Sequence, residues 1–273
     1  MLLDRGADPN KADKEGTCPI HYVSIYPPTV YQKDVAQLLL DGGADPNLAN
    51  NNNNTALHMA AYFAFLDVMQ LLLERGANPN QIDDTGEKPL HQAVRHRRED
   101  VVQLLLDNGA EPNKTDSSGK TPLSIAIDDR FTVIVQLLLE KGANPNQADD
   151  TGLKPLHQAV RYYHKELVHL LLDYGAEHNQ TDSLGRTPLS LAVDRGLTDI
   201  VQLLLDRGAN PNQADDTGLK PLHKAVDNYH KDMVQLLLDN GAEHNQTDIL
   251  GRTPLSMALE HGFTDIISIL SDK

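Results

Sequence analysis

The sequence predicts an all-α fold of stacked helix pairs joined by short β-hairpin loops. One phrase recurs along the 273-residue chain: three leucines, an acidic residue, a variable residue and then Gly-Ala. Its interval is 33 residues from Gly43 onward. The glycines are Gly6, Gly43, Gly76, Gly109, Gly142, Gly175, Gly208 and Gly241. Such a period is typical of solenoids, in which one repeat cannot bury its apolar face without its neighbours. This architecture builds surface, which favours binding over catalysis.

The composition narrows the function classes. A net charge of −15 argues against nucleic acid as a partner, because that interaction requires Lys and Arg to neutralise phosphates. The single cysteine, Cys18, excludes an internal disulfide and fits a reducing compartment, so we expect an intracellular, cytoplasmic protein. No apolar run approaches the roughly 18 residues that a membrane-spanning helix needs. We therefore expect no membrane insertion.

The repeat that begins at Asp182 shows how the helices arise. Gly185 allows a tight turn with positive φ. Thr187 is placed as a helix N-cap, and Pro188 follows at the first helical position, where no N–H is needed. Apolar residues at helical spacing then predict a short first helix and a longer second helix, which ends at Gly208. In the next loop, an asparagine amide is expected to tie the turn's own backbone.

This order of turn, helix, turn, helix and loop, with its Thr-Pro-Leu phrase, resembles the ankyrin repeat. The family pattern Asp-x-x-Gly-x-Thr-Pro-Leu-His is met almost fully. Repeats at Asp83 and Asp149 keep the histidine, and repeats at Asp116 and Asp248 keep the threonine. The resemblance covers essentially the whole chain. It implies L-shaped repeats with stacked helix pairs and projecting hairpin loops, and a non-enzymatic role in binding other proteins.

The predicted repeats divide the chain as follows. A partial repeat, 1–12, comes first, and a C-terminal capping repeat, 248–273, comes last. The repeats between them are 13–49, which carries an insertion around Pro27 and Pro28, and 50–82, 83–115, 116–148, 149–181, 182–214 and 215–247. Because the opening Met1–Ala7 matches the end of a repeat, we expect a fragment of a longer array. Asn50–Asn54 replaces the glycine turn in its repeat, and asparagine is expected to tolerate the left-handed geometry.

Two kinds of repeat alternate from residue 83 onward. Those with the phrase Lys-Pro-Leu-His are called His-type repeats: 83–115, 149–181 and 215–247. Those with the phrase Thr-Pro-Leu-Ser are called Ser-type repeats: 116–148, 182–214 and 248–273. Residues 149–181 and 215–247 differ at seven of 33 positions, which suggests recent duplication. The alternation itself is open to two interpretations, functional design or drift within a stable array.

His-type repeats are expected to be the less stable kind. Their N-cap residue is a lysine, which offers no acceptor to the helix amides, and a lost cap costs about 0.5–2 kcal/mol. The three lysines are Lys88, Lys154 and Lys220. The alternative is that a nearby threonine caps each helix instead. Those threonines are Thr85, Thr151 and Thr217.

The sequence predicts no catalytic, cofactor or metal site. Gly119-Lys120-Thr121 imitates the end of a phosphate-binding loop, but Lys114 stands where the loop needs its first glycine. The stretch 164–169 has the wrong spacing for a zinc-protease helix. Five histidines occupy the family's histidine place, where the resemblance implies a hydrogen bond to the turn. They are His21, His58, His91, His157 and His223.

The resemblance places a partner on the concave side, which is built from hairpin tips and the exposed end of each first helix. Carried over to this sequence, the tip residues are Leu153, Leu184, Leu219, Ile249 and Leu250. The helix residues are Arg161, Tyr162 and Arg195, with Tyr62 and Phe63 as their N-terminal equivalents. Leucines lined up along the stack would form an apolar patch of the kind that marks interaction sites. Alternatively, each leucine packs on the neighbouring hairpin and closes the stack.

These observations predict a monomeric, non-enzymatic array that binds a protein partner and no small-molecule substrate or cofactor. The near-identical duplicated repeats and the asparagine run resemble arrays of intracellular bacteria and their viruses. That resemblance implies delivery into a host cell and action on host factors. The alternative function is a structural spacer in a larger protein whose active domain lies outside this sequence.

Overall fold

A computed structural model of the chain describes residues 6–25 and 31–273. The chain divides into two compact units, Met1–Asn144 and Pro145–Lys273. In each unit, a first helix packs against the second helix of its own repeat and against the first helices of adjacent repeats. The stacked helix pairs that the sequence predicts are therefore present in both units.

The N-terminal unit contains eight helices among its described residues. They are α1 (Pro19–Tyr22), α2 (Gln32–Asp41), α3 (Ala56–Phe63), α4 (Leu66–Glu74), α5 (Pro89–Arg95), α6 (Glu99–Asp107), α7 (Pro122–Asp128) and α8 (Thr132–Glu140). The predicted insertion at Pro27 and Pro28 falls in residues 26–30, outside the described residues. The helix before it, α1, has only four residues.

The C-terminal unit also contains eight helices. They are α9 (Pro155–Arg161), α10 (Lys165–Asp173), α11 (Pro188–Asp194), α12 (Thr198–Asp206), α13 (Pro221–Asp227), α14 (Lys231–Asp239), α15 (Pro254–His261) and α16 (Thr264–Ser271). The core between them is aliphatic: Val201 of α12 and Leu237 of α14, for example, are fully buried. No helix in the described ranges is both long enough and apolar enough to cross a lipid bilayer.

Helix starts follow the capping chemistry that the sequence predicts. The Thr187 hydroxyl accepts the backbone N–H of Ser190 at 3.1 Å, and Pro188 occupies the first helical position. Thr121 and Thr253 cap their helices in the same way, each at 3.1 Å. The first turn of each of these helices thereby gains an acceptor for an otherwise unpaired donor.

The turns before the first helices are closed by an aspartate. Asp182 accepts the backbone N–H groups of Leu184 at 2.9 Å and Arg186 at 3.0 Å. Gly185 has a φ of +70°, and a Cβ at this position would lie 2.6 Å from the backbone nitrogen of Asp216. Only glycine satisfies both the left-handed backbone and this close approach. Paired strands are absent from the described loops, whose single β-bridge joins Ala49 to Thr55.

The asparagine run keeps the turn, as expected. Asn53 takes the place of the glycine with a φ of +56°. Asn50 closes the turn through its backbone, which donates to the Asn54 carbonyl at 2.9 Å. Its side chain accepts the N–H groups of Asn52 and Asn54, both at 3.0 Å. An amide thus replaces the usual carboxylate, because only an acceptor oxygen is required there.

Asn212 and its equivalents differ from the expectation, because their side chains tie the following repeat rather than their own turn. Asn212 donates to the Gly241 carbonyl at 2.9 Å and accepts the Glu243 N–H at 2.8 Å. In the N-terminal unit, Asn80 makes the same two bonds to Gly109 and Glu111, both at 2.9 Å. These asparagines form a ladder that joins successive repeats.

Candidate functional site

In the N-terminal unit, the turn of a repeat and the exposed end of its first helix face each other. Lys120 in the turn places its Nζ 2.7 Å from an oxygen of Asp128, at the end of α7. Glu87 and Arg95 repeat the contact with the charges exchanged, at 2.6 Å. Turn residues and helix-end residues of one repeat can therefore contact the same partner.

Three of the five predicted tip residues of the C-terminal unit are strongly exposed. The exposed fractions are 56% for Leu184, 72% for Ile249 and 70% for Leu250. Ile249 nevertheless lies against the neighbouring hairpin, since a Cβ on Gly218 would come within 2.5 Å of its Cγ2. Its side chain thus both covers a neighbouring turn and presents apolar surface to solvent.

The four leucines that are expected to line up along the stack occupy two different places in their repeats. Leu153 and Leu219 are the fifth residues of their repeats, whereas Leu184 and Leu250 are the third. The fifth residue lies at the base of the turn: the backbone N–H groups of Leu153 and Leu219 donate to Asp149 and Asp215 at 3.0 and 3.1 Å. Both side chains are half-buried.

The helix-end residues of the predicted site lie together. Arg195 donates through Nη1 to the backbone carbonyl of Arg161 and to the Tyr163 hydroxyl, both at 3.3 Å. Its guanidinium also lies 5.6 Å from the centre of the Tyr163 ring, a cation–π distance. Tyr162 is half-buried and Arg161 is exposed.

Sequence reasoning missed Tyr163, which is 56% exposed. Its φ is positive, at +61°, and the equivalent Tyr229 also has a positive φ, at +55°. A bulky residue with positive φ is an outlier that the surrounding structure must stabilise. The available signal was alignment within the chain, because Gly196 and Gly262 occupy the same place in the Ser-type repeats 182–214 and 248–273.

Tyr62 and Phe63 lie in the N-terminal unit beside a hollow of about 490 Å³. Their exposed fractions are 46% and 40%, and their ring centres are 4.9 Å apart. Asn50, Asn52 and Gln92 also line the hollow. The N-terminal equivalents of the predicted site therefore form an aromatic wall beside turn amides.

The five histidines have the structural role that the sequence predicts. His91 shows it fully: its Nδ1 accepts the N–H of Lys88 at 3.2 Å, and its Nε2 donates to the Lys114 carbonyl at 3.0 Å. This pattern requires the neutral ring. Burial lowers the pKa of each of these rings. They are His21, His58, His91, His157 and His223.

The alternative caps for the His-type repeats are absent. The Thr151 and Thr217 hydroxyls donate to the turn aspartates Asp149 and Asp215, each at 2.6 Å, rather than accepting from the helix. Thr85 does the same with Asp83 at 2.7 Å. These helices therefore lack a side-chain cap, as the lysines predict.

The N-cap lysines have contacts of their own, which the sequence did not predict. Lys154 donates to the Gln180 side chain at 2.6 Å and to the Thr181 carbonyl at 3.2 Å. Lys220 donates to the Gln246 side chain at 3.0 Å. Each lysine thus joins the start of its first helix to the loop that ends its repeat.

The described residues bring no reactive groups together. No cluster of three or more His, Cys, Asp or Glu side chains in them could hold a metal ion. Burial raises the pKa of the Cys18 thiol, which opposes formation of a nucleophilic thiolate.

Stacked helix pairs joined by polar turns define a helical repeat array. A family model for ankyrin repeats in three copies matches residues 1–83, 29–116, 108–182, 134–215, 157–248 and 189–273, so the chain belongs to the ankyrin repeat family. Among solved structures, it is similar to the ankyrin repeat domain of Bcl-3, described as a unique member of the IkappaB protein family. The two are 31% identical with a TM-score of 0.74, over 81% of this chain and 100% of that one. A comparison with curated protein sequences found no match.

Ankyrin repeats generally mediate protein–protein interaction and are typically non-enzymatic. The expected class of function is therefore that of the family.

Proposed function

We propose that this chain is a non-enzymatic scaffold whose C-terminal unit binds a protein partner through Leu184, Ile249 and Leu250, called here the tip patch. The exposure of these three large apolar side chains carries the proposal. Turn tips are normally polar, and exposed apolar patches mark interaction sites. Each side chain would lose unfavourable contact with water when a partner covers it.

The helix-end residues supply the polar part of the surface. Arg195 and Tyr163 are held together by a hydrogen bond and a cation–π contact, so little side-chain entropy remains to be lost on binding. Tyrosine and arginine are enriched among residues that dominate binding energies. Two of the seven differences between repeats 149–181 and 215–247 fall here, with Asp227 and Asn228 replacing Arg161 and Tyr162. Two otherwise similar repeats thus present different chemistry to a partner.

The test compares three proteins in affinity purification with quantitative mass spectrometry. The tip variant carries Leu184→Ser, Ile249→Ser and Leu250→Ser. The control variant carries Val35→Ser and Val133→Ser, which are 42% and 56% exposed on the second helices α2 and α8. We expect proteins retained by wild type and control to be lost from the tip variant, with its helicity unchanged. Equal retention by all three proteins would refute the tip patch as the binding surface.

The competing function is a spacer in a longer protein. The contact of Ile249 with Gly218 favours it, because a packing role alone would explain an apolar residue there. A spacer predicts that the tip variant loses stability without losing any bound protein. Thermal unfolding of the same variants therefore separates the two functions.

We also propose that the partner is encountered inside a cell, in the cytoplasm or, after delivery, in a host. The single cysteine and the near-identical repeats 149–181 and 215–247 support this setting. Imaging of the tagged chain in its source organism and any host tests it. A signal confined to the extracellular medium would contradict it.

A further inference from the structure

Contacts between successive repeats of the C-terminal unit alternate in kind, as the sequence does. This unit contains two junctions at which a Ser-type repeat follows a His-type repeat, at residues 181/182 and 247/248. We call these the within-pair junctions. At residues 214/215 a His-type repeat follows a Ser-type repeat instead, and we call this the between-pair junction.

The within-pair junction at 181/182 carries two ion pairs between α10 and α12 or their ends. Arg207 lies 2.9 Å from Asp173, and Lys165 lies 3.5 Å from Asp199. Two further contacts join the same repeats. The His157 ring donates to the Arg186 carbonyl at 2.9 Å, and Arg195 contacts Tyr163 as described above.

The second within-pair junction, at 247/248, repeats the ion pairs and the histidine bond, and its tyrosine contacts the next repeat through a different residue. Its ion pairs join α14 to α16 or their ends: Lys273–Asp239 at 3.9 Å and Lys231–Asp265 at 3.4 Å. His223 donates to the Arg252 carbonyl at 3.2 Å, and the Tyr229 and Phe263 ring centres lie 4.7 Å apart. The two ion pairs and the histidine bond are therefore common to both pairs of this unit.

The between-pair junction lacks these three contacts because its residues differ. Thr198 stands where Lys165 and Lys231 stand, and Asn240 stands where Arg207 and Lys273 stand. No ion pair within 4.0 Å crosses 214/215 among the described residues of this unit. Ser190 occupies the histidine place, and its hydroxyl bonds within its own turn, to the Thr187 carbonyl at 3.1 Å.

A hollow also lies at the between-pair junction. Its volume is about 340 Å³, and it is lined by Gly196 and Thr198 on one side and by Tyr229, His230 and Lys231 on the other. Gly196 has no side chain, and the His230 ring of the next repeat lies 3.0 Å from where its Cβ would be. The second helices α12 and α14 also contact each other less than α10 contacts α12 or α14 contacts α16.

The bonds that cross the between-pair junction among the described residues are of a different kind, since none of them is an ion pair. They include the two hydrogen bonds of Asn212 to the next loop, a bond of 3.4 Å from the Asp216 N–H to the Leu184 carbonyl and a bond of 3.4 Å from Asn228 to Asp194. The two compact units of the chain meet in sequence at Asn144/Pro145. This boundary lies in the loop between the helices of the Ser-type repeat 116–148 and those of the His-type repeat 149–181.

We propose that the two-repeat pair, 149–214 or 215–273, is the cooperative folding unit of this half of the chain, and that 214/215 is a joint at which the array opens. The stability of a repeat array is a sum of terms for single repeats and for their junctions. Where strong and weak junctions alternate, a repeat that opens releases its strongly joined partner and leaves the weakly joined neighbour folded. The alternation is then a device that lets the array open in steps of two repeats.

Hydrogen exchange of the full chain with matched core variants tests the proposal. Val201→Ala weakens the Ser-type repeat 182–214, and Val234→Ala weakens the His-type repeat 215–247; both valines are fully buried. We expect Val201→Ala to raise exchange in 149–181 by about tenfold and to leave 215–247 within about twofold of wild type. Val234→Ala should likewise raise exchange in 248–273 and spare 182–214. Thr187→Ala, which removes only a cap, replaces Val201→Ala if that variant fails to fold.

A graft provides the converse test. Thr198→Lys and Asn240→Arg together place basic residues opposite Asp232 and Asp206, copying the ion pairs of the within-pair junctions. In the background of Val201→Ala, the graft should spread increased exchange into 215–247, whereas Thr198→Gln with Asn240→Gln should not. The proposal is overturned if Val201→Ala without the graft raises exchange in 215–247 as much as in 149–181. A graft that leaves the exchange of 215–247 unchanged also overturns it.

Discussion

Replacement of Lys220 by threonine should stabilise the array. Lys220 is the N-cap residue of α13 and its side chain makes no cap bond. The neighbouring Thr217 does not replace it, because its hydroxyl donates to Asp215 at 2.6 Å. The chain also shows that a threonine cap is compatible with histidine three residues later. The Thr55 hydroxyl oxygen accepts the His58 N–H at 3.4 Å, and the His58 ring accepts the Thr55 N–H at 3.2 Å.

The size of the effect follows from what the substitution adds and removes. A restored N-cap contributes about 1 kcal/mol. Removal of a cation from a helix N-terminus contributes about 0.3 kcal/mol more. The substitution also removes the bond from Lys220 to Gln246 and its ion pair with Glu243 at 4.0 Å, and exposed contacts of this kind are together worth about 0.2–1 kcal/mol. The net gain is therefore about 0.3–1.1 kcal/mol. Lys154 makes two bonds, so Lys154→Thr should gain less than the full cap expected from sequence.

Urea denaturation of wild type, Lys220→Thr and Lys220→Ala measures this gain. Alanine removes the lysine contact without adding an acceptor, so the difference between the two variants isolates the cap. We expect the midpoint of Lys220→Thr to exceed both others, with slower hydrogen exchange in the first turn of α13. If threonine and alanine give the same midpoint, the reasoning on the missing cap is wrong.

Four further predictions concern stability. Asn212→Ala removes two bonds between repeats and should lower the free energy of unfolding, measured by urea denaturation, by about 1–3 kcal/mol. Asn245 occupies the equivalent position and makes no such bonds in the described structure, so Asn245→Ala should lower it by almost nothing. Leu153→Ser with Leu219→Ser removes half-buried side chains and should lower the melting temperature without weakening binding; an unchanged melting temperature would contradict the burial. Because burial lowers the pKa of His157 and its equivalents, the unfolded chain binds more protons than the folded chain below about pH 6.5. The free energy of unfolding should therefore be full above that pH and fall below it, and it should fall less steeply in His157→Gln. Hydrogen exchange should show residues 6–25 and 31–45 opening before 150–240, since α1 has only four residues; equal protection would contradict this.

The local chemistry of the repeat could be read from the sequence because it depends on neighbours in the chain. Thr187 caps its helix and Asn53 turns left-handed for reasons contained within four residues. The stacked fold followed from the period alone, since an isolated helix pair cannot bury its apolar face.

The candidate site was less predictable, because exposure depends on how neighbouring turns approach each other. Leu153 and Leu184 are both leucines in turns, but the first lies at the base of its turn and the second at the tip. Contacts between repeats were missed for a related reason. The pairing of Arg207 with Asp173 requires the register of two helices that are 34 residues apart in sequence, which the pattern of one repeat does not give.

The central claim is that the tip patch binds a protein partner, and titration calorimetry tests it most directly. The protein recovered by affinity purification is purified and titrated into wild type, the tip variant and the control variant on α2 and α8. We predict one binding event with the same stoichiometry for wild type and control. The tip variant should bind at least about tenfold more weakly, equivalent to about 1.4 kcal/mol, with an unchanged melting temperature. An affinity of the tip variant equal to that of wild type would contradict the account.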